Sequence, residues 1–399
     1  MTQPRVLSGM RPTGALHIGH YHGALKNWVR LQDEMPCYFF VADWHALTTH
    51  YESPEVMSAF VWDMLVDWFA AGLDPQKSTV FIQSRVPEHA ELFLLLSMAT
   101  PLGWLERVPT YKDQIEKLKD KDLSTYGFLG YPLMQAADIL IYRATEVPVG
   151  EDQVPHIEMC REIARRFNHL YGREPGFEEK VEAALKKLGG KAGKAVSDAR
   201  QKWTQDGDAS AKDAARAAIT GASIPQEDRE RLTGWLDGTR RSILVEPAAR
   251  LTETPKLPGL DGAKMSKSYG NAVLMREDPK QLADKLRKMP TDPARVRRTD
   301  PGEPERCPVW QLHKVYSNAE TQGWVQTGCR SAGIGCLECK QPVIDAMLAE
   351  QQPWRERAQP FLDRPQLLRE IVDDGCARAR ATAQETMRDV REAMGLQYR

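Results

Sequence analysis

Hydrophobic and polar positions follow two rhythms along this chain. Short unbroken apolar runs mark buried strands, and apolar positions three or four apart mark helices. Residues 5–8 read as a short strand ended by Gly9. Residues 21–32 read as a helix with Ala24, Leu25, Trp28, Val29 and Leu31 on its apolar side. Residues 37–42 form a continuous apolar run between Pro36 and Asp43, as expected of a strand buried on both faces. A helix over 56–71 follows the start signal Ser53-Pro54, then a strand over 79–84 and a helix over 88–98. Residues 131–142 predict a helix, 146–150 a strand and 154–170 a helix. This alternation predicts an α/β fold with a doubly wound, Rossmann-type parallel sheet. Asp43-Trp44-His45 then stands at the carboxyl end of its strand, where open sheets bind ligands.

The rhythm changes after Gly172. Residues 172–246 are rich in Ala, Lys, Asp, Glu and Arg and poor in strongly apolar positions. Short amphipathic helices are expected over 178–188 and 225–236, with breaks at 189–193 and Gly207. The segment reads as an inserted helical module. Beyond Asn271 the pattern is helical, and it ends in a long helix over 366–394, rich in Arg and Glu, expected to pack back on the first domain.

With 399 residues the chain has room for two or three domains. Its net charge of −1 gives no global pull toward nucleic acid, so any such contact needs a local patch. Residues 280–289 with Arg295, Arg297 and Arg298 are one candidate; ordinary surface charge is the other reading. The N-terminus has no apolar core of signal-peptide length. The most apolar run, 92–105, contains Ser97, Thr100, Pro101 and Gly103 and is too short to span a bilayer. A soluble cytoplasmic protein without membrane contact is expected. The seven cysteines include two isolated ones in the first half, which suggests reduced thiols rather than a disulfide framework.

Three stretches carry candidate chemistry. The first runs from Gly9 to His20, a strand end, a glycine-rich turn and a helix start, which together aim backbone N–H groups at an anion. His17 and His20, three apart, can share one side of the first turn and donate to a polyphosphate. The turn is not a P-loop, because Ala15-Leu16 follows Gly14 where Lys-Ser/Thr is required, nor is it the G-x-G-x-x-G dinucleotide pattern. The second is Lys264-Met-Ser-Lys-Ser268, whose two lysines could clamp charge developing on a leaving pyrophosphate. The third is the helix over 131–142. Its spacing puts Tyr131, Gln135 and Asp138 on one face. Asp138 among apolar neighbours either points to water or needs a buried donor.

His17-Ile-Gly-His20 followed by Lys264-Met-Ser-Lys-Ser268 resembles the paired ATP signatures of class I aminoacyl-tRNA synthetases. Tyr-Pro-x-x-x-Ala-Ala-Asp-Ile-Leu from Tyr131 and Val147-Pro-Val-Gly-Glu-Asp-Gln153 are similar to the bacterial tryptophanyl-tRNA synthetases. Tyrosine enzymes usually carry Phe-Gly where Met265-Ser266 stands. The resemblance covers roughly residues 3–172 and 247–399. It implies that His17, His20, Lys264 and Lys267 are catalytic. It implies that ATP, with Mg2+, meets Arg11, Pro12, Thr13, Gly19, His20 and the loop Lys264, Met265, Ser266, Lys267 and Ser268. Gly150, Glu151 and Asp152 would lie near the ribose, and Leu257 near the adenine. Asp138 would accept the indole N–H of L-tryptophan, with Gly9, His45, Tyr131, Gln135, Val147, Val149 and Gln153 lining the rest of the pocket. The implied partner is tRNA(Trp), and the implied assembly a homodimer.

The organisation implied is a Rossmann-type catalytic domain over 1–171, the inserted helical module over 172–246, and completion of the catalytic domain over 247–275. A helical anticodon-binding domain over 276–365 and a C-terminal helix over 366–399 follow. The insertion is either a solvated appendage or a surface for tRNA or another partner. Cys307, Cys329, Cys336 and Cys339, with C-x6-C-x2-C as their last three, have metal or cluster spacing. Spacing alone allows tetrahedral Zn2+, a [4Fe–4S] cluster or a group of reduced thiols. Similarity to a subset of the bacterial enzymes implies the [4Fe–4S] cluster, with Zn2+ the alternative. The expected activity is tryptophan–tRNA ligation, and the rival is a synthetase-like tryptophan- or RNA-binding regulator without ligase activity.

Overall fold

The computed structural model describes residues 4–52, 54–108, 125–172, 174, 176–238, 241–252 and 257–398. The expected helix start at Ser53 lies outside them. Five parallel strands form one sheet: β1 (Val6–Met10), β2 (Cys37–Val41), β3 (Ser78–Ile82), β4 (Glu146–Val149) and β5 (Ala248–Leu251). Their order is β3-β2-β1-β4-β5. The chain therefore steps outward from β1 to β3, then returns to the other side of β1. A crevice opens at such a reversal, at the carboxyl ends of the strands. Val6, Cys37 and Ser78 stand in register, so β1, β2 and β3 end level at Met10, Val41 and Ile82. β4 joins β1 through Val6 and Glu146, near the start of both strands.

The doubly wound sheet agrees with the alternation of runs, but β5 had no such signature. Its sequence Ala-Ala-Arg-Leu is only half covered and pairs with β4 at the sheet edge. The first helix begins earlier than its pattern suggests. It opens at Ile18–His20, passes a π segment at Tyr21–Leu25, and ends with Lys26–Leu31. Asp43-Trp44-His45 opens a further helix, Asp43–His50, directly off β2.

Four helices fill the segment after Gly172: Phe177–Lys187, Gly190–Asp206, Ala209–Gly221 and Gln226–Leu236. They bury a separate small core of Val181, Ala184, Val196, Ala215, Ile219, Leu232, Trp235 and Leu236. Gly193 is not a break but lies inside the second helix. A Cβ there would stand 2.3 Å from the Leu185 carbonyl oxygen, so glycine lets the two helices meet. Arg143, at the end of the helix Tyr131–Ile141, ties this region to the body. It pairs with Glu230 of the four-helix group and with Asp389.

The C-terminal part contains helices Pro279–Lys288, Pro308–Tyr316, Ala319–Arg330, Cys336–Asp363 and Pro365–Ala393. The last lies across the edge strand β3. Gly375 allows this contact, because a Cβ there would meet the Val80 carbonyl oxygen at 1.9 Å. Arg380 and Arg391 of the same helix pair with Glu88 and Glu91 at 2.9 and 2.7 Å. Covering an edge strand in this way removes a site for unwanted strand pairing. Among the described residues, no helix is long and apolar enough to cross a membrane.

Candidate active site

A cavity of about 440 Å3 lies between the carboxyl halves of β1 and β4. Leu7 to Arg11 form one wall, Val147 to Gly150 another, and the helix Tyr131–Ile141 a third. All eight residues expected to meet tryptophan line it: Gly9, His45, Tyr131, Gln135, Asp138, Val147, Val149 and Gln153. Arg11 and Gly150, of the residues expected to meet ATP, line it too. Glu151 and Asp152 follow at its rim, exposed, in the short turn that opens the helix Val154–Tyr171. Leu257 is buried and Lys264 exposed, and neither is among the lining residues.

Asp138 is 1% exposed. Its Oδ2 accepts from His45 Nε2 at 2.7 Å and its Oδ1 from His89 Nδ1 at 2.6 Å. Gln83 Nε2 donates to both oxygens at 2.8 and 2.9 Å. Burial opposes the charge, but the hydrogen bonds from His45 and His89 outweigh it and hold the carboxyl down to about 2. Asp138 therefore does not point to water. These contacts fill the four or so lone-pair positions of a carboxylate. His89 passes the network on to the Tyr142 hydroxyl at 2.7 Å. Sequence reasoning required a donor for Asp138 but identified neither Gln83 nor His89. Gln83 follows β3 directly, and His89 sits in an apolar helix; only the fold brings both under Asp138. Gln135 Oε1 pairs with His156 Nδ1 at 2.7 Å, an anchor 21 positions away in the chain.

The Gly9–His20 turn and the Lys264–Ser268 loop meet beside this cavity. Gly14 turns the chain with a φ of +78°, a conformation glycine adopts freely. The His17 and His20 rings lie with centroids 3.8 Å apart, tilted by 36°. His20 Nδ1 accepts from the His17 backbone N–H at 3.2 Å, which leaves Nε2 to carry the proton. Burial, with Lys267 nearby, lowers His17 to about 4. Burial, His17 and Lys267 lower His20 to about 3. With values that low, both rings are neutral at pH 7.

Lys267 reaches across to this turn. Its ammonium donates to the Thr13 carbonyl and, at 2.7 Å, to the Ala15 carbonyl. Met265 is buried, its Sδ lying 3.9 Å from where a Cβ on Gly19 would stand. Ser266 N–H donates to Asn271 Oδ1 at 2.7 Å, and Asn271 Nδ2 to Asp261 and the Lys264 carbonyl. Asn271 thus shapes the lysine loop, a role no local pattern announced. Ser268 falls in the turn Lys267–Tyr269, and its side chain lies outside the described residues. Pro12 is buried and Thr13 exposed at the same turn.

The cysteines converge elsewhere. Cys307, Cys329, Cys336 and Cys339, all free thiols, line one cavity of about 20 Å3 together with Arg295 and Lys340. Among the described residues no three ligating side chains are arranged to hold a metal ion. Burial and the other three thiols push the Cys339 thiol up to about 12. Mutual repulsion of that kind is what a bound cation relieves. Arg295 corrects the basic-patch reading. It is buried and donates to the Ile334 and Arg298 carbonyls, with Cys329 Sγ 3.9 Å away. Arg297 and Arg298 remain exposed.

A cleft at the switch point of a parallel sheet, with a lysine loop folded over a glycine turn beside it, defines an α/β protein that binds its ligand at the carboxyl ends of the strands. The chain belongs to the family of tRNA synthetases class I (W and Y), whose model matches residues 1–349. It is 70% identical to a tryptophan–tRNA ligase of Ralstonia nicotianae over the whole of both chains. It is 43% identical to the tryptophan–tRNA ligase of Thermotoga maritima, over 99% of this chain and 100% of that one. Among solved structures, tryptophanyl-tRNA synthetase from Campylobacter jejuni, complexed with ADP and tryptophan, superposes with a TM-score of 0.73. The two are 29% identical, covering 98% of this chain and 100% of that one.

Proposed function

We infer that this chain is a tryptophan–tRNA ligase in which the cavity between β1 and β4 holds tryptophan and the adjoining turn holds ATP with Mg2+. The enzyme joins tryptophan to ATP, giving tryptophanyl-adenylate and pyrophosphate, and then transfers tryptophan to the 3′ end of tRNA(Trp), in the cytoplasm. The tryptophan carboxylate attacks the α-phosphate in line, the bond to the β-phosphate breaks, and pyrophosphate takes the electron pair. No covalent enzyme intermediate forms, so positioning and charge stabilisation carry the rate. His17 and His20 donate to phosphate oxygens as neutral rings. Lys264 and Lys267 stabilise the leaving pyrophosphate. Gly150, Glu151 and Asp152 hold the ribose.

The observation that carries this reading is the crossing of Lys267 over Thr13–Ala15 beside a cavity walled by Tyr131, Gln135 and Asp138. Asp138 reads the indole N–H. Its acceptor positions are filled by protein donors, so one donor yields when tryptophan enters. His45 is that donor, because it lines the cavity while Gln83 and His89 do not. Tryptophan-dependent ATP–pyrophosphate exchange, run with tyrosine alongside, tests the whole reading. Exchange with tryptophan alone supports it. Tryptophan binding without exchange would favour a synthetase-like regulator instead.

The four cysteines fit a [4Fe–4S] cluster, and Zn2+ is the alternative. The donor set is four thiols around one small cavity, with Arg295 and Lys340 to balance thiolate charge. A cluster there would cross-link three segments: Cys307 before the helix Pro308–Tyr316, Cys329 in Ala319–Arg330, and Cys336 with Cys339 in Cys336–Asp363. A homodimer is supported by exposed apolar side chains at and just beyond the end of the helix Glu88–Ser97: Leu94, Met98 and Leu102, which are 53, 67 and 57% exposed.

A further inference from the structure

Asp67 is the second fully buried carboxylate near the site, and nothing in the reaction above uses it. It lies in the helix Met57–Ala71, amid Met64, Leu65, Val66, Trp68 and Phe69, and is 1% exposed. A carboxylate in such surroundings is costly unless donors meet it. Among the described residues two do, one from the histidine turn and one from just beyond the lysine loop. Its Oδ2 accepts from the Leu16 backbone N–H at 2.6 Å, immediately before His17. Its Oδ1 accepts from Arg276 Nε at 2.5 Å, and Arg276 Nη2 also reaches Asp63 at 2.6 Å.

Arg276 lies in the turn just past the stretch that leaves the lysine loop. This stretch runs beside the signature turn. Ile18 N–H donates to the Val273 carbonyl at 3.0 Å and Met275 N–H to the Leu16 carbonyl at 2.8 Å. Asp67 therefore grips both edges of one small crossing. On one side it fixes the backbone that presents His17 and His20. On the other it fixes the base of the loop that carries Lys264 and Lys267. A buried ion pair is weak evidence of stability, since apolar replacements are often as stable. What this pair fixes is the relative position of the two phosphate-binding segments.

We propose that Asp67, with Arg276, is a positioning residue that holds the histidine turn and the lysine loop in catalytic register for ATP. The proposal rests on the assignment of these two segments to ATP given above. Asp63 meets only Arg276. Lys267 also bridges the two segments, through the Thr13 and Ala15 carbonyls, whereas Asp67 does so from the buried side of the crossing.

The test is tryptophan-dependent ATP–pyrophosphate exchange with Asp67→Asn, Arg276→Met and the double variant, each with its melting temperature. Asn keeps an acceptor for Leu16 N–H but loses the charge that holds Arg276. A displacement of about 1 Å at a reacting centre is worth about 100-fold in rate. Asp67→Asn should lower kcat about 10- to 100-fold and raise the KM for ATP, with the KM for tryptophan within twofold of wild type. Arg276→Met, at a site with partial solvent access, should do the same, and the double variant should be no worse than the worse single. Arg276→Lys should restore part of kcat.

Wild-type kcat and ATP KM in Asp67→Asn would overturn the proposal. So would equal losses for ATP and tryptophan that track a fall in melting temperature, which is the signature of a purely structural role. If Asp67→Asn does not fold, Arg276→Met decides by the same criteria. Absence of any exchange in the wild type would instead overturn the functional reading, so the two failures are distinguishable.

Discussion

Removing the Asp138 side chain should damage folding before it reports on specificity. Asp138→Ala leaves the buried donors of His45, Gln83 and His89 without their acceptor beside the cavity. Each stranded buried donor costs about 1–3 kcal/mol. Three of them sum to about 3–9 kcal/mol by the same figure, against a typical total stability of about 5–15 kcal/mol. Asp138→Ala should therefore be mostly unfolded or lose much of its urea midpoint. Asp138→Asn keeps one acceptor oxygen, and the histidines can exchange tautomers to meet its amide, so about half the loss is expected. Asp138→Asn is thus the variant in which to measure recognition. The assay compares tryptophan with an analogue carrying sulfur in place of the indole N–H. A site built on such a hydrogen bond can reject the analogue by about 10⁴–10⁵, and the Asn variant should lose most of that preference. Its ATP KM should stay near wild type. If Asp138→Ala unfolded at the wild-type urea concentration, the count of stranded donors would be wrong. If wild type used the sulfur analogue as well as tryptophan, Asp138 would not be the reader. Specificity would then come from the shape made by Tyr131, Val147 and Val149.

Lys267→Ala should lower the activation rate by about two to three orders of magnitude, the scale for one such donor, while tryptophan affinity measured by fluorescence barely changes; an unaltered rate would remove Lys267 from the mechanism. Protein purified without oxygen should be brown with about four irons per chain for a cubane, and zinc without iron would reject the cluster. Loss of the metal should impair tRNA charging more than tryptophan activation, because the cysteines lie outside the parallel sheet. His17 and His20 should titrate below pH 5 by NMR, since burial holds them near 4 and 3. Between those values and the unfolded value of about 6.5 the unfolded chain binds more protons, so their contribution to stability rises with pH and is complete above 6.5. His17→Gln should flatten the pH dependence of the urea midpoint between pH 4 and 6.5; an unchanged slope would mean that His17 titrates normally.

Much of the fold and site was legible locally because the governing effects are local. The continuous apolar run at 37–42 and the apolar centre of 79–84 fit strands buried on both faces, and the helices between them fix a parallel order. β5 had no run to read, because it gains its conformation from pairing with β4 rather than from its own burial. The glycine turn, the two histidines and the lysine loop were visible as donors suited to phosphate. Tyr131, Gln135 and Asp138 declared a shared face through helical spacing. That spacing also stated a debt at Asp138 without naming the groups that settle it.

Those groups are what tertiary structure decided. Gln83 and His89 are 55 and 49 positions from Asp138, and nothing in their own surroundings marks them. Asp67 read as one more helix residue until Leu16 and Arg276, 51 and 209 positions away, closed on it. Arg295 read either as part of a basic patch for nucleic acid or as ordinary surface charge, and became the buried neighbour of a thiol. The sequence by itself determined which elements form and which chemistry the signature segments can offer, since backbone geometry and side-chain type suffice for both. Which polar groups are stripped of water, and which distant donor then satisfies each one, follows only from packing. Burial makes an unmet hydrogen bond expensive, and only the folded chain decides what is buried beside what.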